Sequence, residues 1–269
     1  MGATFCEDAG CIFGCFMVLL AALNLYEEND MTKIIAHRGA SQLAKHENTL
    51  EAFQLAIDIN ADMVEFDVRC TSDRKLVVFH DSTFADQPIA YQTYREMEEH
   101  AAAEGFHVPV FEDVVKLCRG RIFMDIEVKA PGYEREMIDI LHKYCSYEEY
   151  SIKSFEDPAV YHIKQIDPAI KTGLLLGKSH VGVAFRFKEI FPVRRLRQAK
   201  CDFVAPIYPY ISRLYVYRMH RHNYPVQVWT VNKEKQIWKY LKYKVDAIIT
   251  DKPDLGLVVR KKYYRAGCS

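Results

Sequence analysis

Short apolar runs alternate with amphipathic segments along the chain from Met31 onward. Between the runs, apolar residues recur at helical spacing, as Val160, Ile163 and Ile166 do after Pro158. This alternation predicts an α/β protein in which crossover helices join parallel strands. Eight runs qualify as strands: residues 33–37, 62–68, 121–128, 150–153, 171–176, 202–205, 226–231 and 246–250. Eight strand–helix repeats in 269 residues predict a single-domain (β/α)8 TIM barrel.

Two local patterns add detail to the first half of this barrel. A further apolar run, residues 75–79, follows the second strand after a short polar link. A link of that length cannot cross over to a parallel strand, so we expect a small hairpin insertion after the second strand. Asn48, with Glu51 three residues later, predicts the start of the first helix, and Leu50 and Phe53 mark its apolar face.

Residues 1–30 precede the barrel pattern and contain one long apolar run, Cys11 to Tyr26. As a helix it would span roughly 24 Å, less than a bilayer core of ~30 Å. No Lys or Arg comes before Lys33, which argues against a signal peptide. We interpret residues 1–30 as an N-terminal extension and residues 31–269 as the barrel domain. Membrane contact through the apolar run, or packing of that run on the barrel, are the less favoured alternatives.

Composition excludes several classes of protein. Lys plus Arg equals Asp plus Glu at 36 each, so no net field would draw the chain to nucleic acid. Apolar residues make up 49%, which argues against general disorder. The internal cysteines are well separated and form no CxxC pair. We therefore expect reduced thiols and a reducing, cytoplasmic location. The oligomeric state is left open.

Acidic side chains alternate with apolar ones on two neighbouring predicted strands. Glu65 and Asp67 share one face of the second strand, and Glu127 lies near the end of the third. Like charges facing one barrel interior repel one another unless a cation lies between them. The three carboxylates therefore predict one divalent metal ion, Mg²⁺ or Ca²⁺, with acids held in ion pairs as the alternative. Asp125 lies one layer deeper and is expected to support the site.

Basic and aromatic residues follow the same strand ends. His37 and Arg38 end the first strand, and an arginine there is suited to phosphate. Lys129 follows Glu127 on the same face and suits a phosphate oxygen as well. The hairpin returns His80 toward the barrel mouth, where it could form an acid–base pair with His37. Trp229, on the seventh predicted strand, is expected to form an apolar wall, or alternatively to serve only in the core.

Together these segments resemble the glycerophosphodiester phosphodiesterase family. The similarity extends in order and spacing from Lys33 to Asp254. No single segment is decisive, but the ordered set is highly specific. The matching segments are His37-Arg38-Gly39, Glu47-Asn48-Thr49, Glu65-Phe66-Asp67-Val68, Leu76 to Asp81, Ile126-Glu127-Val128-Lys129, Val228 to Asn232, and Ile249 to Pro253.

The resemblance implies a metal-dependent TIM-barrel enzyme that hydrolyses glycerophosphodiesters to glycerol 3-phosphate and an alcohol. It implies that His37 and His80 act as the acid–base pair, without saying which is the acid. The metal ligands it implies are Glu65, Asp67 and Glu127. The substrate-binding residues it implies are Arg38 and Lys129 for phosphate and Trp229 for glycerol.

Two departures from the family leave the preferred substrate open. Residues 82–107 lack the usual signature after His80-Asp81, and Pro109-Val110-Phe111-Glu112 differs from the usual segment before the third strand. A lysophospholipase D or sphingomyelinase D-like activity on lipid diesters is the nearest alternative. The apolar N-terminus favours it, as does the loop after the fifth strand, which contains Val181, Val183, Phe185 and Phe187. A third hypothesis is a non-catalytic barrel that binds phosphate. The complete set of histidines and carboxylates argues against it.

Overall fold

The computed structural model describes residues 31–177 and 188–267. Eleven strands are present in this part of the chain. They are β1 (Lys33–Ala36), β2 (Met63–Cys70), β3 (Leu76–Val78), β4 (Thr83–Phe84), β5 (Gln87–Pro88), β6 (Phe123–Val128), β7 (Tyr150–Ser154), β8 (Thr172–Leu176), β9 (Phe203–Pro206), β10 (Gln227–Val228) and β11 (Ala247–Thr250). The main sheet has the order β10-β11-β1-β2-β6-β7-β8-β9, and every neighbouring pair along it is parallel.

The two ends of this sheet meet and close a barrel. Parallel bridges join Val204 to Val226 and Ile207 to Trp229. Eight parallel strands in a near-closed ring confirm the predicted (β/α)8 barrel. The predicted seventh strand, residues 226–231, is too long, because the continuous ladder covers β10 alone. Its other pairings are the isolated bridges that close the ring.

Nine α-helices surround the sheet in the described ranges. They are α1 (Leu50–Asp58), α2 (Tyr94–Glu104), α3 (Phe111–Cys118), α4 (Glu134–Tyr144), α5 (Asp157–Ile166), α6 (Val193–Ala199), α7 (Arg213–Arg221), α8 (Glu234–Lys242) and α9 (Pro253–Arg265). Short 3₁₀ turns cover Ile89–Tyr91 and Tyr208–Tyr210. No helix of the described residues is long and apolar enough to cross a bilayer.

The first helix begins differently from the prediction. Thr49, not Asn48, is its N-cap, because the Thr49 hydroxyl accepts a hydrogen bond from the Ala52 N–H at 3.2 Å. Leu50 is 43% exposed, while Phe53 is fully buried, so the prediction that both face the core is wrong for Leu50. The side chain of Asn48 instead donates a hydrogen bond to Asp67 inside the barrel.

The insertion after β2 is confirmed as a hairpin, in which β3 runs antiparallel to β2. It continues into a second small hairpin, β4–β5, and into α2. A capping box explains where α2 begins, since the side chains of Thr93 and Glu96 each bind the other residue's backbone N–H. The segment after His80 therefore forms an insertion with defined secondary structure on one side of the barrel mouth.

The barrel strands separate charge from apolar surface. Outward residues of β2 and β6, such as Phe66 and Ile126, are buried in a cluster with Phe53 and Phe111 of the helices. The inward positions of the same two strands include the acids Glu65 and Asp67 on β2 and Asp125 and Glu127 on β6. The four cysteines of the described residues are free. Burial raises the pKa of the Cys118 and Cys201 thiols to about 12, so both thiols remain protonated and unreactive.

Candidate active site

Three carboxylates from two neighbouring strands converge inside the barrel. The ladder between β2 and β6 places Asp67 opposite Glu127 and Glu65 opposite Asp125. Since side chains alternate between faces along a strand, all four acids face inward. Glu65, Asp67 and Glu127 each offer one oxygen, and these oxygens lie within 4.8 Å of one another. All three side chains are buried. The predicted metal ligands are thus brought together by strand register alone.

Lys129 lies beside the outer pair of acids. Its Nζ is 2.7 Å from Oε1 of Glu127 and 3.1 Å from Oδ1 of Asp67. The strand β6 ends at Val128, so Lys129 is the first residue beyond it and lies at the mouth. Its ammonium group both screens the two carboxylates from each other and faces the cavity above them.

A second lysine, Lys153 of β7, lies one layer deeper and is 1% exposed. Its Nζ lies 2.5 Å from Oδ2 of Asp125 and 3.7 Å from Oε1 of Glu65. The Ser151 hydroxyl donates to the other Asp125 oxygen at 2.9 Å. Asp125 therefore supports the site indirectly by holding Lys153 against Glu65. No role for Lys153 is predicted from the sequence, although its period-two spacing from Ser151 is a usable signal.

Four buried acids lie among four basic side chains at the site. The acids are Glu65, Asp67, Asp125 and Glu127, and the bases are Arg38, Arg69, Lys129 and Lys153. A bound divalent cation would add positive charge and make the cavity more attractive to a phosphodiester anion.

The pKa shifts at the acids follow from burial and from these neighbours. Burial raises the pKa of Glu127 to about 7, and the ammonium of Lys129 offsets only part of that effect. Burial likewise raises the pKa of Glu65. It would also raise the pKa of Asp67, but Lys129 and Arg38 outweigh it and hold that pKa well below its ordinary value. The cluster therefore holds acids of unequal proton affinity.

His37 is held by a carboxylate from the far end of the chain. Its Nδ1 lies 2.5 Å from Oδ1 of Asp251, and its Nε2 lies 3.9 Å from Oε2 of Glu65. The acceptor at Asp251 fixes a proton on Nδ1 and leaves Nε2 facing the acids. Burial lowers the pKa of His37, but the hydrogen bond to Asp251 and the charge of Glu65 raise it by more, so the net shift is upward.

Asp251 is itself fixed by Asn232. The Asn232 Nδ2 donates to Oδ2 of Asp251 at 2.5 Å, and the Asp251 N–H donates back to Oδ1 of Asn232 at 2.9 Å. The Thr250 hydroxyl also donates to that Asn232 oxygen at 3.0 Å. Both residues lie in segments that match the family, but no role for either is predicted from the sequence. Two polar residues directly after buried strands were the signal available.

The turn after β1 places Arg38 above the acids. Its backbone is left-handed, with φ 54°, and its N–H donates to Oε2 of Glu65 at 3.1 Å. The guanidinium reaches Glu47 at 2.6 Å and lies 3.5 Å from Asp67. Asn48 donates to the same Asp67 at 2.9 Å, which is why it does not cap the helix. This turn thus binds both acids of β2.

His80 approaches from the hairpin side, as predicted from its position after β3. Its Nδ1 lies 2.7 Å from Oδ1 of Asp81, and its backbone carbonyl accepts two hydrogen bonds from the Arg69 guanidinium at 2.9 and 2.6 Å. Burial lowers the pKa of His80, and the charge of Asp67 only partly offsets this. The two histidines therefore shift in opposite directions.

All of the predicted site residues except the fully enclosed Asp67 line one cavity of about 400 Å³. The cavity has a charged floor and an apolar wall. The Trp229 Nε1 donates to the Ala205 carbonyl at 2.8 Å, and its ring meets Phe155 edge-on at 5.6 Å. The indole is thus locked with an apolar face toward the cavity. The other residues that line the cavity include Leu175, Gly177, Ile207, Thr230 and Ile249.

A parallel barrel with histidines, carboxylates and basic residues gathered at the carboxyl ends of its strands is typical of a TIM-barrel hydrolase. Residues 37–255 match the model of the glycerophosphoryl diester phosphodiesterase family. The chain belongs to this family of phosphoric diester hydrolases.

Curated relatives agree with this assignment. YhdW of Bacillus subtilis, a candidate glycerophosphodiester phosphodiesterase, is 30% identical over 82% of this chain and 95% of its own length. A glycerophosphodiester phosphodiesterase of Caldanaerobacter subterraneus is 28% identical over 86% of this chain and 98% of its own. The similarity therefore covers nearly the whole of each relative.

Solved structures share the fold. An Oleispira antarctica phosphodiesterase in complex with the product sn-glycerol-3-phosphate has a TM-score of 0.74 at 22% identity, covering 86% of this chain and 97% of its own. A glycerophosphodiester phosphodiesterase of Thermotoga maritima has a TM-score of 0.70 at 24% identity, covering 85% and 98%. At these identities the likeness supports the barrel itself.

Proposed function

We propose that this enzyme hydrolyses glycerophosphodiesters to glycerol 3-phosphate and an alcohol, with a divalent metal ion and the two histidines as its chemical groups. The observation that carries the proposal is the convergence of Glu65, Asp67 and Glu127 at the floor of a cavity that His37 and His80 also line. Cytoplasmic action is part of the proposal, because the four cysteines of the described residues are free, which suits a reducing compartment. The product bound to the Oleispira antarctica relative supports the same substrate class.

The acidic cluster fits a hard divalent cation such as Mg²⁺ or Ca²⁺. Its donors are three carboxylate oxygens, from buried side chains, that lie within 4.8 Å of one another. Glu65, Asp67 and Glu127 would hold the ion. When bound, the ion would supply charge neutralisation at the phosphoryl oxygens. Arg38 and Lys129 would hold the remaining phosphate oxygens by charge-assisted hydrogen bonds.

The histidines would move the protons. One histidine takes the proton of the glycerol 2-hydroxyl as that oxygen attacks phosphorus, and the other gives a proton to the departing alcohol. A cyclic phosphate results, and water opens it with the two proton roles exchanged. Asp251 orients His37 for both steps by keeping the proton on Nδ1. The neighbouring hydroxyl is already held next to phosphorus, which removes much of the entropic barrier.

The test measures release of choline from glycerophosphocholine and from a lysophosphatidylcholine, with excess EDTA and after addition of Mg²⁺ or Ca²⁺. We expect turnover of glycerophosphocholine that EDTA abolishes and one of the two ions restores. Glu65→Gln should lose most of this turnover, whereas Glu51→Gln, an exposed residue of α1, should retain it. Full activity in EDTA would contradict the metal requirement.

Preference for the lysophospholipid would instead favour the lysophospholipase D alternative. The loop residues on which that alternative depended, Val181, Val183, Phe185 and Phe187, lie outside the described residues. The sphingomyelinase D-like reading is tested by adding sphingomyelin to the same assay.

A further inference from the structure

An exposed apolar patch lies on two adjacent segments beside the barrel mouth. Ile190 and Phe191 precede α6 and are 36% and 56% exposed, and Leu214 and Tyr217 on α7 are 73% and 63% exposed. Single exposed apolar side chains are common, but four of them on segments in contact need an explanation. We call these four residues the rim patch.

The exposed face of α7 is apolar and basic. Leu214, Tyr217, Arg218 and Arg221 follow one another at i, i+3, i+4 and i+7, so they share one stripe. The opposite face, made of Tyr215, Val216 and Met219, is buried against the barrel. The helix contains no acidic residue. A stripe that combines Leu, Tyr and Arg is typical of helices that lie at a lipid–water interface.

Arg218 joins the two halves of the rim patch. Its Nη2 donates to the Ile190 carbonyl at 2.6 Å, and its guanidinium lies 4.5 Å from the centre of the Phe191 ring. The aromatic side chain of Phe191 is therefore fixed in an exposed position next to α7. The four apolar side chains therefore form one preformed surface, which is held by α7 and by the segment before α6.

Positive charge surrounds the rim patch although the whole chain is neutral. Residues 188–224 contain eight Lys and Arg side chains, of which Arg195 is paired with Asp157, and two acidic ones. Of the acids, Glu189 is 2% exposed and Asp202 is paired with Lys164 at 2.7 Å. Arg213 and Arg221 are exposed, and no ion pair joins either to another described residue. The surface thus offers uncompensated positive charge around an apolar centre.

The rim patch lies on the same side of the barrel as the candidate active site. The segment with Phe191 follows the end of β8, and Leu214 lies in the first turn of α7, shortly after β9. Both strands contribute to the cavity wall through Leu175 and, just past β9, Ile207. A flat surface bound to the patch would therefore lie beside the cavity entrance.

We propose that the rim patch binds the surface of an anionic lipid bilayer. Its apolar side chains would enter the interfacial region while Arg213, Arg218 and Arg221 meet lipid phosphates. A purely polyanionic partner such as nucleic acid would use the arginines but would leave four apolar side chains in water. The consequence for catalysis, which rests on the proposed function, is that diesters within a membrane would reach the cavity from the bound face.

Vesicle binding tests the proposal without reference to catalysis. The full chain is sedimented at physiological salt with phosphatidylcholine vesicles, or with vesicles that also contain phosphatidylglycerol. We expect binding to the anionic vesicles only. The triple variant Phe191→Ser/Leu214→Ser/Tyr217→Ser and the double variant Arg213→Glu/Arg221→Glu should each weaken binding by at least about tenfold. The control Tyr91→Ser/Lys261→Glu, which changes an exposed tyrosine and an exposed lysine elsewhere, should bind as the parent does.

Each alternative has its own outcome. Absence of parent binding to anionic vesicles would overturn the proposal. Parental binding by the triple variant would overturn it too, because the charge alone, or the N-terminal apolar run, would then carry the binding. Turnover of soluble glycerophosphocholine by the variants should equal that of the parent, which shows that they are folded. Failure of that turnover in the parent would count against the proposed function and not against the lipid surface.

Discussion

At the scale of single residues, the least expected feature of the site is the support behind His37. Asp251 binds its Nδ1 at 2.5 Å and is itself bound by Asn232. The histidine was predictable from its place at a strand end, but its partner was not, because 214 residues separate the two in sequence. Only closure of the barrel, which pairs β1 with β11, brings them together.

Removing the charge of Asp251 should therefore impair catalysis. In Asp251→Asn the ring of His37 loses the acceptor that fixes its tautomer, and we expect kcat to fall by about 10² or more. Because Asp251 raises the pKa of His37, any limb of the pH–rate profile due to His37 should move to lower pH. Asp254→Asn, on an exposed residue of α9, is the control and should leave both unchanged. An unaltered profile in Asp251→Asn would contradict this role.

Metal binding should depend on pH through Glu127. Burial raises the pKa of that carboxyl to about 7, so below this pH the metal-free site holds a proton that the ion must displace. Affinity for the activating ion should fall roughly tenfold from pH 8 to pH 6, about fivefold of it below pH 7, and level off above pH 8. Isothermal titration calorimetry at several pH values measures this. Equal affinity at pH 6 and pH 8 would be inconsistent with a titrating ligand.

At the scale of elements, the strands were predicted closely because both of their faces carry information. On β2 the apolar Val64 and Phe66 alternate with the acidic Glu65 and Asp67, so strand and inward face are read from the same pattern. The helix and strands of residues 82–107 could not be predicted from such a pattern. The strands, β4 and β5, have two residues each, which is too short for an alternation of apolar and polar residues. Their pairing depends on the turn between them.

The turn after β1 depends on one glycine. Gly39 has φ +82°, and a Cβ there would lie 2.7 Å from the backbone carbon and Cβ of Ala52 in α1. Gly39→Ala would therefore both strain the turn and push it away from the helix, displacing Arg38. We expect a loss of about 2–4 kcal/mol in unfolding free energy and a large loss of activity.

Gly120→Ala is the matched control for that substitution. Gly120 also has a positive φ, +67°, but nothing lies within 4 Å of the position of its Cβ. It should lose only about 1 kcal/mol, from the backbone alone, with activity retained. Chemical denaturation of both variants gives the comparison. Equal losses in the two would show that the contact with α1 does not matter.

At the scale of the whole molecule, the barrel was predictable from the number and order of strands, and the family model covers the same region, residues 37–255. The distribution of charge was not. A chain with equal numbers of acids and bases concentrates positive charge beside the mouth, and only the fold shows that α6 and α7 are neighbours of the cavity wall.

The predicted division of the chain at Met31 also concerns the whole molecule. Residues 1–30 carry none of the proposed chemistry, and the family match begins after them. A chain that starts at Met31 should fold and should keep its kcat on a soluble diester within a few-fold. Circular dichroism and steady-state kinetics measure both. Insolubility of the shortened chain would show that residues 1–30 contribute to packing.

The most direct test of the account is glycerol 3-phosphate release from glycerophosphocholine by the metal-supplied enzyme and its histidine variants. If His37 and His80 work as one acid–base pair, His37→Ala and His80→Ala should each remove most of kcat, by about 10²-fold or more. The double variant should then lose little beyond either single one. His107→Ala, an exposed histidine outside the cavity, should match the parent. Near-parental turnover in either single variant, or losses that multiply in the double variant, would contradict the account.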